Sequence, residues 1–246
     1  MDITLLHGGG QGGWIWDETV AALHALPGAA QQRVLALDVP GCGAKRGRDT
    51  TALTVDAIAD ELLADIRAAG FRQVLLAGHS LAGTLLPRMA ERAPELIARL
   101  VFVSCLAPPA GRTIGQVIGQ GLHGARPDEV GWPLDPATTP KAELYRAMFC
   151  NDMDAATADA FLARLFRDRW PDAVMTATDW RYAHLAGMRV AFVICERDGI
   201  LPAPWQELFA ARVHADRVPR IDAGHQVMNT QPAALAALLL AEAARG

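Results

Sequence analysis

Short apolar runs alternate along the chain with longer stretches in which apolar residues recur every three or four positions. The runs at 3–6, 34–37, 74–77, 100–104, 190–195 and 218–221 predict strands. Most are continuously apolar rather than alternating, the pattern of parallel strands covered by helices on both faces. Val55, Ile58, Ala59, Leu62, Leu63 and Ile66 fall at helical spacing, with Thr54 placed as an N-cap. Residues 81–91 predict a second helix that stops before Pro94, and residues 205–211 a third. Pro232 opens a last helix at the favoured first-turn position, with Leu235, Leu238 and Leu239 as its buried stripe. This alternation of strand and helix predicts an α/β protein with an open parallel sheet.

One region breaks the rhythm. Residues 107–182 contain no convincing strand but hold helical patterns at 141–149 and 155–166. About 75 residues between two core strands far exceeds an ordinary loop. The expectation is a core of residues 1–106 and 183–246, with residues 107–182 inserted as a helical cap over one edge of the sheet.

Bulk properties narrow the function classes. The 246 residues are 51% hydrophobic and 20% charged, enough apolar content for one large ordered domain. A net charge of −4 without a basic tract argues against nucleic acid as partner. Asp2 follows Met1, and residues 3–6 are too short for a signal-peptide core, so the expected compartment is the cytoplasm. No long uncharged apolar stretch predicts a membrane span. Cys42, Cys105, Cys150 and Cys195 are scattered, without metal-ligand spacing; they are expected as buried free thiols, with neither disulfide nor structural metal.

The candidate chemistry lies at predicted strand ends, where open α/β sheets collect function. Four segments fall there: 7–10 (HGGG), 78–83 (GHSLAG), 196–198 (ERD) and 224–225 (GH). In "LLAGHSLAGTLL" strand, serine and helix follow one another without a loop, although Ala82 stands where a G-x-S-x-G pattern has glycine. Such a turn requires φ > 0 at Ser80, lifts its hydroxyl out and aims the amide of Leu81 at the same space. A serine hydroxyl needs a base, and His225, after the last predicted strand, is the candidate. His214 lies before that strand; His24, His123 and His184 fall in helical or cap segments; His79 is expected to pack or hydrogen-bond beside the nucleophile. The orienting acid is Asp198, with Glu196 as the alternative. The glycines after the first strand supply backbone N–H groups, and the oxyanion donors are assigned to the amides of Gly9 and Leu81. The order serine, aspartate, histidine is that of α/β-hydrolases.

With these residues the chain resembles an α/β-hydrolase. More narrowly it is similar to the branch of plant methyl-ester esterases, α-hydroxynitrile lyases and bacterial pyrethroid-hydrolase-like esterases. The resemblance rests on "LLHGGGQGGWIW", "ALDVPGCG", "AGHSLAG", "LVFVSCLAP", "ERDGILP" and "DAGHQVMN", with a cap stretch "AMFCNDMDAATADAFLARLF". It implies a Ser80–Asp198–His225 triad, and six strands in the order 2-1-3-4-5-6 because the two opening strands of longer hydrolases lack a counterpart. The lyases resemble one another in a threonine and a lysine at the positions held here by Gly8 and Gln226, which disfavours lyase chemistry. The expected activity is hydrolysis of a small apolar or aromatic carboxylic ester, with no metal and no organic cofactor. The alternatives are a hydroxynitrile lyase, a hydrolase of thioester, lactone or C–C bonds, and a non-catalytic small-molecule receptor. Trp14, Gly8, Phe149, Trp132 and Gln226 are candidate substrate contacts. The expected partner is a small ester, with neither nucleic acid nor membrane; a homodimer is the oligomeric alternative to a monomer.

Overall fold

The apolar runs assemble into one sheet. In the structure, a computed structural model that describes residues 1–245, the strands are β1 (Asp2–Leu6), β2 (Val34–Leu37), β3 (Val74–His79), β4 (Ile97–Val103), β5 (Arg189–Cys195) and β6 (Arg220–Ile221). They pair in the order β2-β1-β3-β4-β5-β6, the order the resemblance implies, and every pair is parallel, as the apolar runs predict. The helices are α1 (Asp17–His24), α2 (Val55–Ala68), α3 (Leu86–Arg92), α4 (Ile114–Ile118), α5 (Lys141–Phe149), α6 (Ala155–Leu162), α7 (Asp172–Thr176), α8 (Ala203–Arg212), α9 (Val227–Thr230) and α10 (Pro232–Ala244).

Successive strand residues point to opposite faces, so each strand feeds two cores. Leu76, Leu100, Phe102, Val190 and Phe192 pack with Ile58, Leu62, Met89 and Phe209 from α2, α3 and α8. Their neighbours Leu75, Ala77, Val101, Val103, Ala191 and Val193 pack with Leu23, Leu235 and Leu239 from α1 and α10. Burial on both faces explains why these strands read as continuous apolar runs rather than alternating ones. Thr54 caps α2 as its position suggests, its hydroxyl accepting from the amide of Ala57 at 3.1 Å.

Proline sets the main departures from the sequence reading. The helix expected over 81–91 is instead a 3-10 turn, Ser80–Thr84, followed by α3. Pro87 has no N–H to close an α-helical bond onto Gly83, so the helix restarts at Leu86 with proline in its first turn. The last strand is only Arg220–Ile221, because Pro219 cannot donate to the ladder; its carbonyl still accepts from Ile194 at 2.9 Å. α6 ends at Leu162, four residues earlier than expected, and Phe166 beyond it takes a left-handed conformation, φ 58°.

Residues 107–182 carry α4 to α7, and no described residue there joins the main sheet; Leu122 and Trp132 form an isolated parallel bridge. Leu144, Met148, Phe149, Phe161 and Leu165 pack into a cluster of their own. All four cysteines are buried free thiols. No helix among the described residues is long and apolar enough to cross a membrane.

Candidate active site

Ser80 follows β3 directly at φ 55°, in the left-handed region that the sequence reading requires of it. Its environment shows why the neighbours must be small. A Cβ added to Gly78 would lie 2.8 Å from the Ala82 methyl and 2.5 Å from Leu86. The carbonyl of Ser80 accepts from the amide of Leu106 at 3.0 Å, which draws the turn onto the chain leaving β4. A non-glycine residue held at positive φ is costly and persists only when its surroundings impose it.

Three side chains from separate strand ends meet above this turn. His225 Nε2 lies 3.0 Å from Ser80 Oγ, and its Nδ1 lies 2.6 Å from Asp198 Oδ2. Because the carboxylate accepts from Nδ1–H, Nε2 is left free to accept from the serine hydroxyl. His225 is fully buried. Asp198 accepts from the amides of Ile200 at 2.6 Å and Leu201 at 2.8 Å, from His225 and from the hydroxyl of Ser104. A carboxylate with its lone pairs satisfied in this way is fixed in orientation.

The other histidines make different contacts. His79 packs against His225, ring centroids 4.5 Å apart, and its Nε2–H donates to the carbonyl of His225 at 2.9 Å. Burial, then the neighbouring His225, hold its pKa well below the usual histidine value, so it is neutral there. His24, His123 and His184 bond to backbone carbonyls of Gln32, of Val130 and Gly199, and of Pro87. Glu196, the alternative acid, faces outward and pairs with Arg220 at 3.6 Å.

A cavity of about 490 Å³ opens beside Ser80. Gly9, Leu81, Trp132 and Phe149 line it, with Leu106, Ile118, Met148, Phe166, Trp170 and Ile200 among the other wall residues. Gly9 and Leu81 therefore border the same space as Ser80. Trp14, Gly8 and Gln226, the other candidate contacts, are not among its lining residues. Trp14 turns toward α6, with its ring 5.9 Å from Phe161 and the Arg164 guanidinium 3.9 Å above it. Gly8 is buried against Ser80: a Cβ there would lie 2.9 Å from Ser80 Cβ. Gln226 is fully buried, and its side-chain amide bonds to no described residue.

Three supporting residues escaped the sequence reading. Ser104, at φ 41° just past β4, donates to the same oxygen of Asp198 as His225 does. Gln206 of α8 accepts from Cys195 N at 2.9 Å and donates to the carbonyls of Cys195 and Leu201, bracing the loop that carries Asp198. Asp152, between α5 and α6, accepts from the amide of Gly224 at 2.6 Å, one residue before His225. A serine ending a predicted strand was the one available signal; the others lack any local one.

The parallel sheet and the convergence at its carboxyl edge define the class. The alpha/beta hydrolase family model matches residues 5–238, and the chain belongs to that family. A probable esterase, PIR7A, of Oryza sativa subsp. indica is 34% identical over 124 residues, 50% of this chain and 46% of its own length. The chain thus spans about half the length of the curated relatives it matches at that identity. Polyneuridine aldehyde esterase of Rauvolfia serpentina is 26% identical over 254 residues, covering 96% of this chain and 93% of its own. Among solved structures, a pyrethroid hydrolase from Sphingobium faniae JZ-2 superposes with a TM-score of 0.77 at 21% identity, over 99% of this chain and 97% of that one. That likeness establishes the fold.

Proposed function

We propose that the chain hydrolyses a carboxylic ester of a small apolar or aromatic substrate through an acyl-enzyme on Ser80. The observation that carries this reading is the unbroken line from Ser80 Oγ to His225 Nε2, 3.0 Å, and from His225 Nδ1 to Asp198, 2.6 Å. Ser80 Oγ attacks the ester carbonyl while His225 takes its proton, and Asp198 holds the imidazole and stabilises the imidazolium. The amides of Gly9 and Leu81 hold the tetrahedral oxygen, each such donor being worth about 10²–10³ in rate. His225 then protonates the departing alcohol. Water, deprotonated by the same imidazole, releases the acid and restores the serine. These steps call for no metal or organic cofactor.

The apolar wall of the cavity favours an apolar or aromatic acyl or alcohol group. In this reading residues 107–182 form the cap and residues 1–106 and 183–246 the catalytic core, with Phe149 and Trp132 as the cap's substrate contacts. Gly8 leaves no room for a side chain beside Ser80, and Gln226 brings no cation, so ester hydrolysis is favoured over cyanohydrin cleavage.

Turnover of p-nitrophenyl butyrate tests the reading. Ser80→Ala lowers kcat by at least about 10⁴ with the fold intact by circular dichroism. An unaffected rate overturns the serine mechanism. Saturable ligand binding without turnover in the wild type favours the receptor alternative.

A further inference from the structure

The loop that follows β1 contains three consecutive glycines, yet the peptide carbonyls of Gly8 and Gly10 and the amide of Gly8 are each held by a partner. The amide of Gly8 donates to Gln11 Oε1 at 3.2 Å. The carbonyl of Gly8 accepts twice, from His7 Nδ1 at 2.8 Å and from Trp170 Nε1 at 3.0 Å. The carbonyl of Gly10 accepts from the amide of Phe166 at 2.7 Å. The amide of Gly9 bonds to no described residue, and Gly9 lines the cavity beside Ser80.

The carbonyl of Gly8 and the N–H of Gly9 belong to one peptide unit. That unit is planar and trans, so its C=O and N–H point in opposite directions. Whatever grips the carbonyl therefore aims the amide. Glycine supplies no steric preference of its own, so the aim must come from outside the loop. Two donors on the carbonyl also polarise the unit and strengthen the N–H as a donor.

The donors are themselves fixed. The amide of Val39 donates to His7 Nε2 at 3.1 Å, and a backbone N–H can only donate. The proton of the ring is then on Nδ1, facing Gly8. Trp170 is buried, meets His7 edge-on at 5.9 Å and lies in the stretch between α6 and α7. Asp168, two residues earlier, accepts from the amide of Gly43 at 3.0 Å and pairs with Arg46. The stretch 166–170 thus contacts the glycine loop at both Gly8 and Gly10, while Asp168 ties it to the loop after β2.

We infer that Trp170, with His7, is a positioning residue for catalysis: the two side chains hold the Gly8–Gly9 peptide so that its N–H meets the developing oxyanion. This rests on the proposed ester hydrolysis at Ser80. It makes the strength of an oxyanion donor in the core depend on an indole supplied by the inserted helical segment.

Trp170→Phe tests the inference, because it keeps an aromatic ring and removes the N–H. The expected result on p-nitrophenyl butyrate is a fall in kcat of about tenfold or more, part of the full value of such a donor, with KM within about threefold. A second reading uses an aryl trifluoromethyl ketone. Ser80 Oγ bonds to its carbonyl carbon, the carbonyl electron pair moves onto oxygen, and the serine proton passes to His225, giving a reversible hemiketal oxyanion. Its inhibition weakens by the same factor, while a non-reacting amide of the same shape inhibits unchanged. An unchanged kcat, or equal losses for ketone and amide, overturns the inference. Should the phenylalanine variant fail to fold, 3-benzothienylalanine at 170, with sulfur in place of N–H, is put to the same measurements and decides by the same outcomes. Ser80→Ala run in parallel separates the failures: if it retains turnover the serine mechanism falls, and if it alone is inactive only the role of Trp170 falls.

Discussion

A methyl group added at Gly83 would lie 2.2 Å from the carbonyl oxygen of Leu106 and 2.7 Å from the Cβ of Cys105. This is why the turn at Ser80 tolerates Ala82 where a G-x-S-x-G pattern has glycine. The close approach falls at Gly78 before the serine and at Gly83 after it. Gly83→Ala is expected to destabilise the fold by about 2 kcal/mol or more, since backbone oxygen cannot retreat as a side chain can. Urea unfolding reads this directly, and a loss below about 0.5 kcal/mol contradicts the packing argument. At this scale Ser80, Asp198 and His225 were legible, because each follows a recognisable apolar run. Ser104 and Trp170 were not, because their partners Asp198 and Gly8 lie 94 and 162 positions away.

The connection between α5 and α6 is more than a tether between two helices. Asn151 Nδ2 donates to the carbonyl of Arg197 at 2.6 Å, next to Asp198 in the chain, and Asp152 holds the amide of Gly224 next to His225. One short segment thus braces the loops of both Asp198 and His225. Asp152→Ala is expected to lower kcat by about tenfold, because misplacing a catalytic group by less than 1 Å has costs of that order. Steady-state kinetics with KM reported separately checks it; a parallel rise in KM with constant kcat would assign Asp152 to substrate binding instead. Apolar periodicity predicted α2, α5, α8 and α10 closely, but missed α1, α4, α7 and α9. Three of those four span five residues or fewer, too short to establish a period.

The whole molecule buries His7 and His79 completely, beside the glycine loop after β1 and beside His225. Burial lowers the pKa of both, in His79 helped next by the proximity of His225. The unfolded chain therefore binds more protons than the folded one as pH falls below the ordinary histidine value of 6.5, and stability declines with pH from there. Each histidine contributes at most about 1.4 kcal/mol per pH unit. Carboxylates held low by arginine, Asp60 by Arg92 and Asp179 by Arg88, lose their contribution only at still lower pH, through the carboxylate range. Unfolding free energy is expected to drop by about 1–2 kcal/mol between pH 7.5 and 5.5. A profile flat across that window would mean that the two rings are protonated in the native state as readily as in the unfolded one.

Period and punctuation in the sequence determined the parallel sheet, its strand order through the family resemblance, and the strand ends at which serine, aspartate and histidine stand. These are local properties: apolar runs record burial on both faces, and a residue next to a run inherits its place at the sheet edge. Only the tertiary structure decided which side chains steady that trio and which walls enclose the cavity. Those contacts join segments that share no local signal, and they exist only once distant stretches of backbone have packed together.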